Sequence, residues 1–148
     1  MSYLLDTCIL SRLRKIKTEA DRGLKDWILS YPEGFYYISV LTIGEIQAGI
    51  SKLNIQKSEE KKKKVIFEDW LYSDLIPRFK DRILPIDEHT CSIWGAMKGD
   101  AFRRARTLPV IDSLIAATAI QHNLILVTEN TKDFVETGVR MINPIESL

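Results

Sequence analysis

Tyr3-Leu4-Leu5-Asp6-Thr7 opens the chain with apolar residues that stop on a carboxylate. A run this short and apolar reads as a buried strand, and the strand ends directly in Asp6. A carboxylate embedded in apolar sequence costs free energy unless it is paired, hydrogen-bonded or bound to a metal. Two other acids have the same setting. Val110-Ile111-Asp112-Ser113-Leu114-Ile115-Ala116-Ala117-Thr118-Ala119 puts Asp112 at the head of an alanine-rich helix, and Ser39-Val40-Leu41-Thr42-Ile43-Gly44-Glu45-Ile46 encloses Glu45. One hard divalent cation, which takes oxygen ligands, would give all three acids a common reason.

Strand and helix alternate outward from that first strand. Helical patterning covers Thr7 to Arg14 and Glu19 to Ser30, the latter with Leu24, Trp27 and Ile28 at helical spacing. Phe35-Tyr36-Tyr37-Ile38 is a second strand, and Ser39 opens a helix ending near Leu53. A charged helix from Lys57 to Asp81 carries the stripe Val65, Ile66, Trp70 and Leu71. Arg82 to Ile86 is a third strand, stopped by Pro85; Asp87 caps a long helix with Ile93, Trp94, Met97 and Phe102. The Asp112 helix leads to a fourth strand, Leu124 to Thr128, then a short helix from Thr131 to Val135 and a fifth strand, Val139 to Ile142. Such alternation predicts a three-layer α/β fold: a central, mostly parallel sheet of about five strands with helices on both faces.

With 148 residues, the chain is read as a single domain, residues 1–148, without linker or repeat. A net charge of +1 gives no global field for nucleic acid, so any such field comes from local clustering. The two cysteines, Cys8 and Cys91, have no paired spacing, which argues against a disulfide scaffold or zinc site and fits a reducing, cytoplasmic setting. No stretch approaches the length of a membrane span, and the N-terminus lacks a charged-then-apolar signal region.

In an open α/β sheet, ligands bind beyond the carboxyl ends of the strands. Asp6 ends the first strand, Glu45 lies on the helix after the second, Glu129, Asn130 and Asp133 follow the fourth, and Asp112 heads the helix entering the fourth. Each has a plainer structural reading. Asp6 and Asp112 fit N-caps, Thr42 and Glu45 have capping-box spacing, and Asp133 suits a first helical turn. Capping does not explain the apolar sequence on both sides of Glu45. Asp112 shares a helical face with Ile115, Ala116 and Ala119, and the alanines let that helix sit close, turning Asp112 inward. Bare clustered carboxylates repel one another, and some protonate.

Leu4-Leu5-Asp6-Thr7, Ile38-Ser39-Val40-Leu41-Thr42-Ile43-Gly44-Glu45, Ile83-Leu84-Pro85-Ile86-Asp87, Asp112-Ser113-Leu114-Ile115-Ala116-Ala117-Thr118-Ala119 and Thr128-Glu129-Asn130-Thr131-Lys132-Asp133-Phe134 follow one another in the order and spacing of a known family. Nearly the whole chain resembles the PIN domain, in the VapC-like branch of ribonuclease toxins that includes FitB. The resemblance implies a magnesium-dependent endoribonuclease, with manganese as an alternative ion, that is the toxin of a type II toxin–antitoxin pair. Asp6, Glu45 and Asp112 match the family's metal-site acids, and Asp133 its fourth catalytic acid. Thr7, Thr128 and Asn130 match supporting positions. The resemblance also implies an RNA substrate, a homodimer and a cognate antitoxin lying over the acidic groove. Two positions depart from the pattern. Asn130 stands where the family often has Asp, and Cys8 where it usually has Asn; a thiol cannot supply an amide's hydrogen bonds.

The chemistry suits these residue types, since phosphodiester hydrolysis needs an activated water and relief of charge on phosphate. No Ser-His-Asp or Cys-His arrangement competes, and His89 and His122 read as surface or cap residues. Arg103, Arg104 and Arg106 precede Asp112 and are candidates for RNA phosphate contact; complementing a helix end is the alternative. Glu59 to Lys64 reads as a solvated face with i,i+4 pairs Glu59–Lys63 and Glu60–Lys64 rather than a nucleic-acid patch. Trp27, Trp70 and Trp94 read as core or interface, and Leu10, Leu13 and Trp70 as candidates for protein contacts. Two other classes stand beside the ribonuclease: a non-catalytic RNA- or protein-binding scaffold of the same fold, and a phosphatase using Asp6 as nucleophile. The phosphatase normally needs a second acid where Cys8 stands.

Overall fold

The computed structural model describes residues 1–145. Five short strands form one all-parallel sheet: β1 Tyr3–Leu5, β2 Tyr36–Ser39, β3 Ile83–Leu84, β4 Ile125–Val127 and β5 Met141–Ile142, in the spatial order β3-β2-β1-β4-β5. The helices are α1 Thr7–Arg14, α2 Glu19–Leu29, α3 Val40–Ser51, α4 Ser58–Asp69, α5 Ile76–Phe79, α6 Glu88–Arg103, α7 Val110–Gln121 and α8 Thr131–Phe134.

Two apolar cores sandwich the sheet, and β1 feeds both. Tyr3 and Leu5 pack into one core with Ile9, Leu24, Ile38, Leu71 and Val127; Leu4 packs into the other with Met97, Ile115, Ala116, Leu126 and Phe134. This is the period-2 alternation of a strand covered on both faces, and it gives the expected three layers. Ala116, Ala117 and Ala119 of α7 are all fully buried, so small side chains set how closely that helix lies on the sheet.

The sheet also fixes where a crevice opens. From β1 the chain builds outward through β2 and β3, then returns to add β4 and β5 on β1's other side. The order reverses between β1 and β4, and such a switch point is where connections leave in opposite directions and a cleft forms at the strands' carboxyl ends. The backbone N–H of Asp6 donates to Val127 O at 3.0 Å, so Asp6 stands at that cleft.

Several expectations are corrected. The helix from Lys57 to Asp81 is interrupted: α4 ends at Asp69, a π-turn spans Trp70–Leu75, and α5 resumes at Ile76. Pro77 has no N–H to give Ser73, and the widened turn upstream, with Ile76 N–H bonded to Leu71 O, accommodates the loss. Val65 and Ile66 are exposed, because α4 meets the core through the half-buried Phe67 and buries no residue completely. Phe102 is 83% exposed: Met97 and Ala101 form the inward face of α6, and the next residue falls about 100° round the helix. The pairs Glu59–Lys63 and Glu60–Lys64 do not form. Lys57 pairs instead with Glu60, and Lys64 with Glu68, each at 3.9 Å. The tryptophans are half-buried, with Trp27 edge-on to Tyr3 at 5.2 Å and Trp94 Nε1 donating to Ser113 Oγ at 2.8 Å. His89 and His122 are exposed, and His122 follows the last turn of α7. No helix among the described residues is long and apolar enough to cross a membrane.

Candidate functional site

Asp6 does two jobs at once. It is the N-cap of α1, with Oδ1 accepting from Thr7 N–H at 2.8 Å, and it is buried at 5% exposure. Its Oδ2 accepts from the Thr128 hydroxyl at 2.7 Å and from the Cys8 thiol at 3.5 Å. The capping and site readings of Asp6 are therefore compatible, because a cap uses one carboxylate oxygen and leaves the other for neighbours.

Glu45 is not a capping residue. The N-cap of α3 is Ser39, whose side chain accepts from Leu41 N–H, and Glu45 lies in the second turn. Its exposed carboxylate accepts the Thr7 hydroxyl at 2.6 Å, and Thr7 also lies 3.1 Å from the buried Thr42 hydroxyl. Thr7 thus ties the start of α1 to α3. Asp112 is not an N-cap either: Pro109 holds that place, and Asp112 lies in the first turn of α7, where a carboxylate faces the helix's positive end. Asp133 lies in the first turn of α8 and is exposed.

These four acids share one electrostatic neighbourhood. The half-buried Asp112 carboxyl is pushed up to about 6, first by burial and then by the negative charges of Asp6, Asp133 and Glu45. An acid held that far above its ordinary range is the signature of like charges gathered in a partly desolvated cleft. Among the described residues no three carboxylate, thiol or imidazole side chains are spaced to hold one ion as they stand, so an ion here would have to draw the acids closer together. The donor chemistry nevertheless fits a hard cation. Apart from the Cys8 thiol, which stays protonated, the side chains of the cleft offer carboxylate and hydroxyl oxygens, and added positive charge would relieve the repulsion felt at Asp112.

The supporting residues divide. Thr7 and Thr128 each touch an acid directly. Asn130 acts through its backbone, whose N–H donates to Thr128 Oγ1 at 3.0 Å, and its side chain is exposed. Cys8 corrects an expectation: its thiol does reach the site, on Asp6 Oδ2 and 3.7 Å from Thr128 Oγ1. Burial and the Asp6 charge push that thiol up to about 12, so it stays protonated and acts as a donor. The arginines are not drawn to the acids. Arg104 bonds Asp100 at 3.0 Å and Glu136 at 2.5 Å, Arg103 pairs with Asp100 at 3.3 Å, and Arg106 lies 3.7 Å from Glu136.

Sequence reasoning missed one set of residues. Arg12 on α1 bridges Asp21 on α2 and Glu129 after β4, across a separation of 117 residues to the latter. No local pattern signals it. Of the residues considered for protein contact, Leu10 is buried at 4% exposure, whereas Leu13 and Trp70 are half-buried and line a groove of about 940 Å³ with Ile28, Leu29 and Pro77.

Residues 3–139, which include β1 to β4 of the parallel sheet, match the PIN domain family. The chain belongs to that family. Toxin FitB of Neisseria gonorrhoeae is 30% identical over 141 residues, covering 95% of this chain and 96% of that protein. VapC ribonuclease Y4jK of Sinorhizobium fredii is 29% identical over 143 residues, covering 97% of each. Among solved structures, FitAcB from Neisseria gonorrhoeae superposes with a TM-score of 0.83 at 28% identity, over 96% of this chain and 97% of that one. A toxin–antitoxin complex from Klebsiella pneumoniae matches with a TM-score of 0.60 at 25% identity, over 97% and 98%.

Proposed function

We propose that this chain is a metal-dependent endoribonuclease, the toxin of a type II toxin–antitoxin pair, which hydrolyses RNA phosphodiester bonds. The observation that carries the reading is the elevation of Asp112 by burial together with Asp6, Asp133 and Glu45. Relatives named as ribonucleases and toxins over nearly the whole chain support it.

In this reading Asp6, Glu45 and Asp112 hold magnesium or manganese, and Asp133 is the fourth acid. When bound, such an ion lowers the pKa of a water and neutralises charge on the phosphate. The chain's residues prepare that site. Thr128 and Cys8 fix the rotamer of Asp6 by bonding one of its oxygens, and Thr7 fixes Glu45. The half-buried cleft keeps the dielectric low, so the acids act strongly on whatever enters. Arg103 and Arg106, exposed beyond their ion pairs, offer phosphate contacts; Arg104 is already committed to two acids.

The partner in this reading is an antitoxin, in keeping with the solved relative described as a toxin–antitoxin complex. Its apolar segment occupies the groove of Leu13, Ile28, Leu29 and Trp70, and a basic side chain enters among the acids. An arginine fork satisfies two carboxylate oxygens and so replaces the cation. The chain alone is a homodimer.

The test is RNA cleavage by the purified chain with magnesium, manganese or a chelator, beside Asp112→Asn. Cleavage that needs the ion and Asp112 supports the ribonuclease. RNA binding without ion-dependent cleavage would establish the scaffold reading instead.

A further inference from the structure

Arg12 takes no part in the proposed chemistry, yet it is bonded on two sides. It follows Asp6 by six residues on α1, a rise of about 9 Å. Its Nη1 donates to Asp21 Oδ1 at 2.8 Å. Its Nε donates to Glu129 Oε1 and Oε2 at 3.0 and 3.1 Å, and Nη2 lies 2.9 Å from Oε2. Asp21 is a firm anchor: it is 4% exposed and also accepts from the N–H groups of Lys17 and Thr18 at 3.0 and 3.1 Å.

Glu129 comes directly after Thr128. Two successive residues of one turn therefore hold both ends of α1: Thr128 bonds Asp6 at its start, and Glu129 bonds Arg12 near its finish. A planar guanidinium can serve both acids at once, whereas a lysine ammonium is a single point charge on a flexible stem. The turn after β4 is exposed at Asn130, so this ion pair is its second side-chain tie to α1 after Thr128–Asp6, and the one that holds the far end of the helix.

We propose that Arg12 is a positioning residue for the acidic site, clamping Glu129 against Asp21 so that the adjoining Thr128 hydroxyl is held on Asp6. The proposal rests on the metal-dependent reading of the site. Partners that orient a metal ligand from outside the coordination sphere typically matter by about 10- to 100-fold in affinity.

The experiment measures Mn2+ affinity by calorimetry, and kcat and KM for RNA, on the full chain as wild type, Arg12→Gln, Arg12→Lys and Glu129→Ala. Charge alone moves the two sites in opposite directions: losing Arg12 would tighten cation binding and losing Glu129 would weaken it. Loss of a clamp moves both down. The expected result is Mn2+ binding about tenfold weaker in both Arg12→Gln and Glu129→Ala, with kcat reduced and KM little changed, and Arg12→Lys in between. If Arg12→Gln does not fold, Arg12→Lys and Glu129→Ala decide the matter, because the lysine keeps the charge and loses only the fork. Folded Arg12 variants that bind Mn2+ as tightly as wild type, or more tightly, overturn the proposal while leaving the ribonuclease reading intact. A wild type that neither binds Mn2+ nor cleaves RNA overturns both.

Discussion

The Thr128 hydroxyl donates to Asp6 Oδ2 at 2.7 Å, joining the carboxyl ends of β1 and β4 across 122 residues of sequence. Both partners are buried, Thr128 completely. Thr128 Oγ1 itself accepts from Asn130 N–H, so its single proton is committed to Asp6.

Replacing Thr128 by Val keeps the volume and removes that proton. It leaves a buried Asp6 oxygen with only the weak thiol donor, at a cost of about 1–3 kcal/mol. Thr128→Val should therefore lower the melting temperature and reduce RNA cleavage about tenfold or more, whereas Thr128→Ser retains both. Wild-type cleavage in Thr128→Val would show that Asp6 needs no such support.

Asp112→Asn should abolish cleavage and stabilise the metal-free fold. The Asp112 carboxyl is raised to about 6 in the fold, against about 3.9 in an unfolded chain. Its burden is absent below pH ~4, grows between pH ~4 and ~6, and is complete above that. Screening at a half-exposed group leaves about 1 kcal/mol. Thermal melts should coincide at pH 4 and favour Asp112→Asn at pH 7.5. Equal melting temperatures at both values would mean that neither burial nor the neighbouring acids burden Asp112 measurably.

The opposite sign holds for Asp21 and Asp87, both lowered to about 2. Backbone N–H groups are the leading cause, from Lys17 for Asp21 and from Thr90 for Asp87, with Arg12 and the Thr90 hydroxyl next. Their stabilisation is complete above the unfolded value of about 3.9 and is lost as pH falls through about 2. Stability measured from pH 5 to 2 should fall less steeply in Asp87→Asn than in wild type. An unchanged acid limb would mean that this cap contributes nothing to acid unfolding.

The arginines before Asp112 should separate. Arg103→Ala and Arg106→Ala are expected to weaken RNA binding regardless of sequence. Each should reduce the salt slope by about 0.7 for every single-strand phosphate it no longer neutralises. Arg104→Ala should instead cost stability, because that side chain joins the end of α6 to Asp100 and Glu136. A salt slope unchanged in the Arg103 and Arg106 variants would assign the whole cluster to structure.

Much of the fold was legible because it follows from local periodicity. The alternation around Tyr3 to Leu5, the aromatic run at Tyr36 and the apolar run at Ile125 each need burial on two faces, and only a covered parallel sheet supplies it. The departures have local causes that pattern alone does not weigh. Of the stripe Val65, Ile66, Trp70 and Leu71 the fold buries Leu71 and leaves Val65 and Ile66 in solvent, and Pro77 widened a turn where a straight helix was expected.

Asp6, Glu45 and Asp112 could be singled out from sequence because an acid among apolar residues conflicts with its surroundings wherever the chain goes. Their effect on one another was not, since Asp112 is raised by charges that lie far off in sequence and near in space. The same holds for Arg12 with Glu129, and for Cys8, whose thiol becomes a donor only because folding sets it beside Asp6. Sequence by itself determined the alternation of strands and helices and which carboxylates sit in apolar surroundings, because hydrophobic patterning and the cost of burying charge act on each segment. Tertiary structure alone decided which groups are paired, raised or held, because hydrogen bonds and Coulomb interactions depend on distances that exist only once β1 and β4 lie side by side.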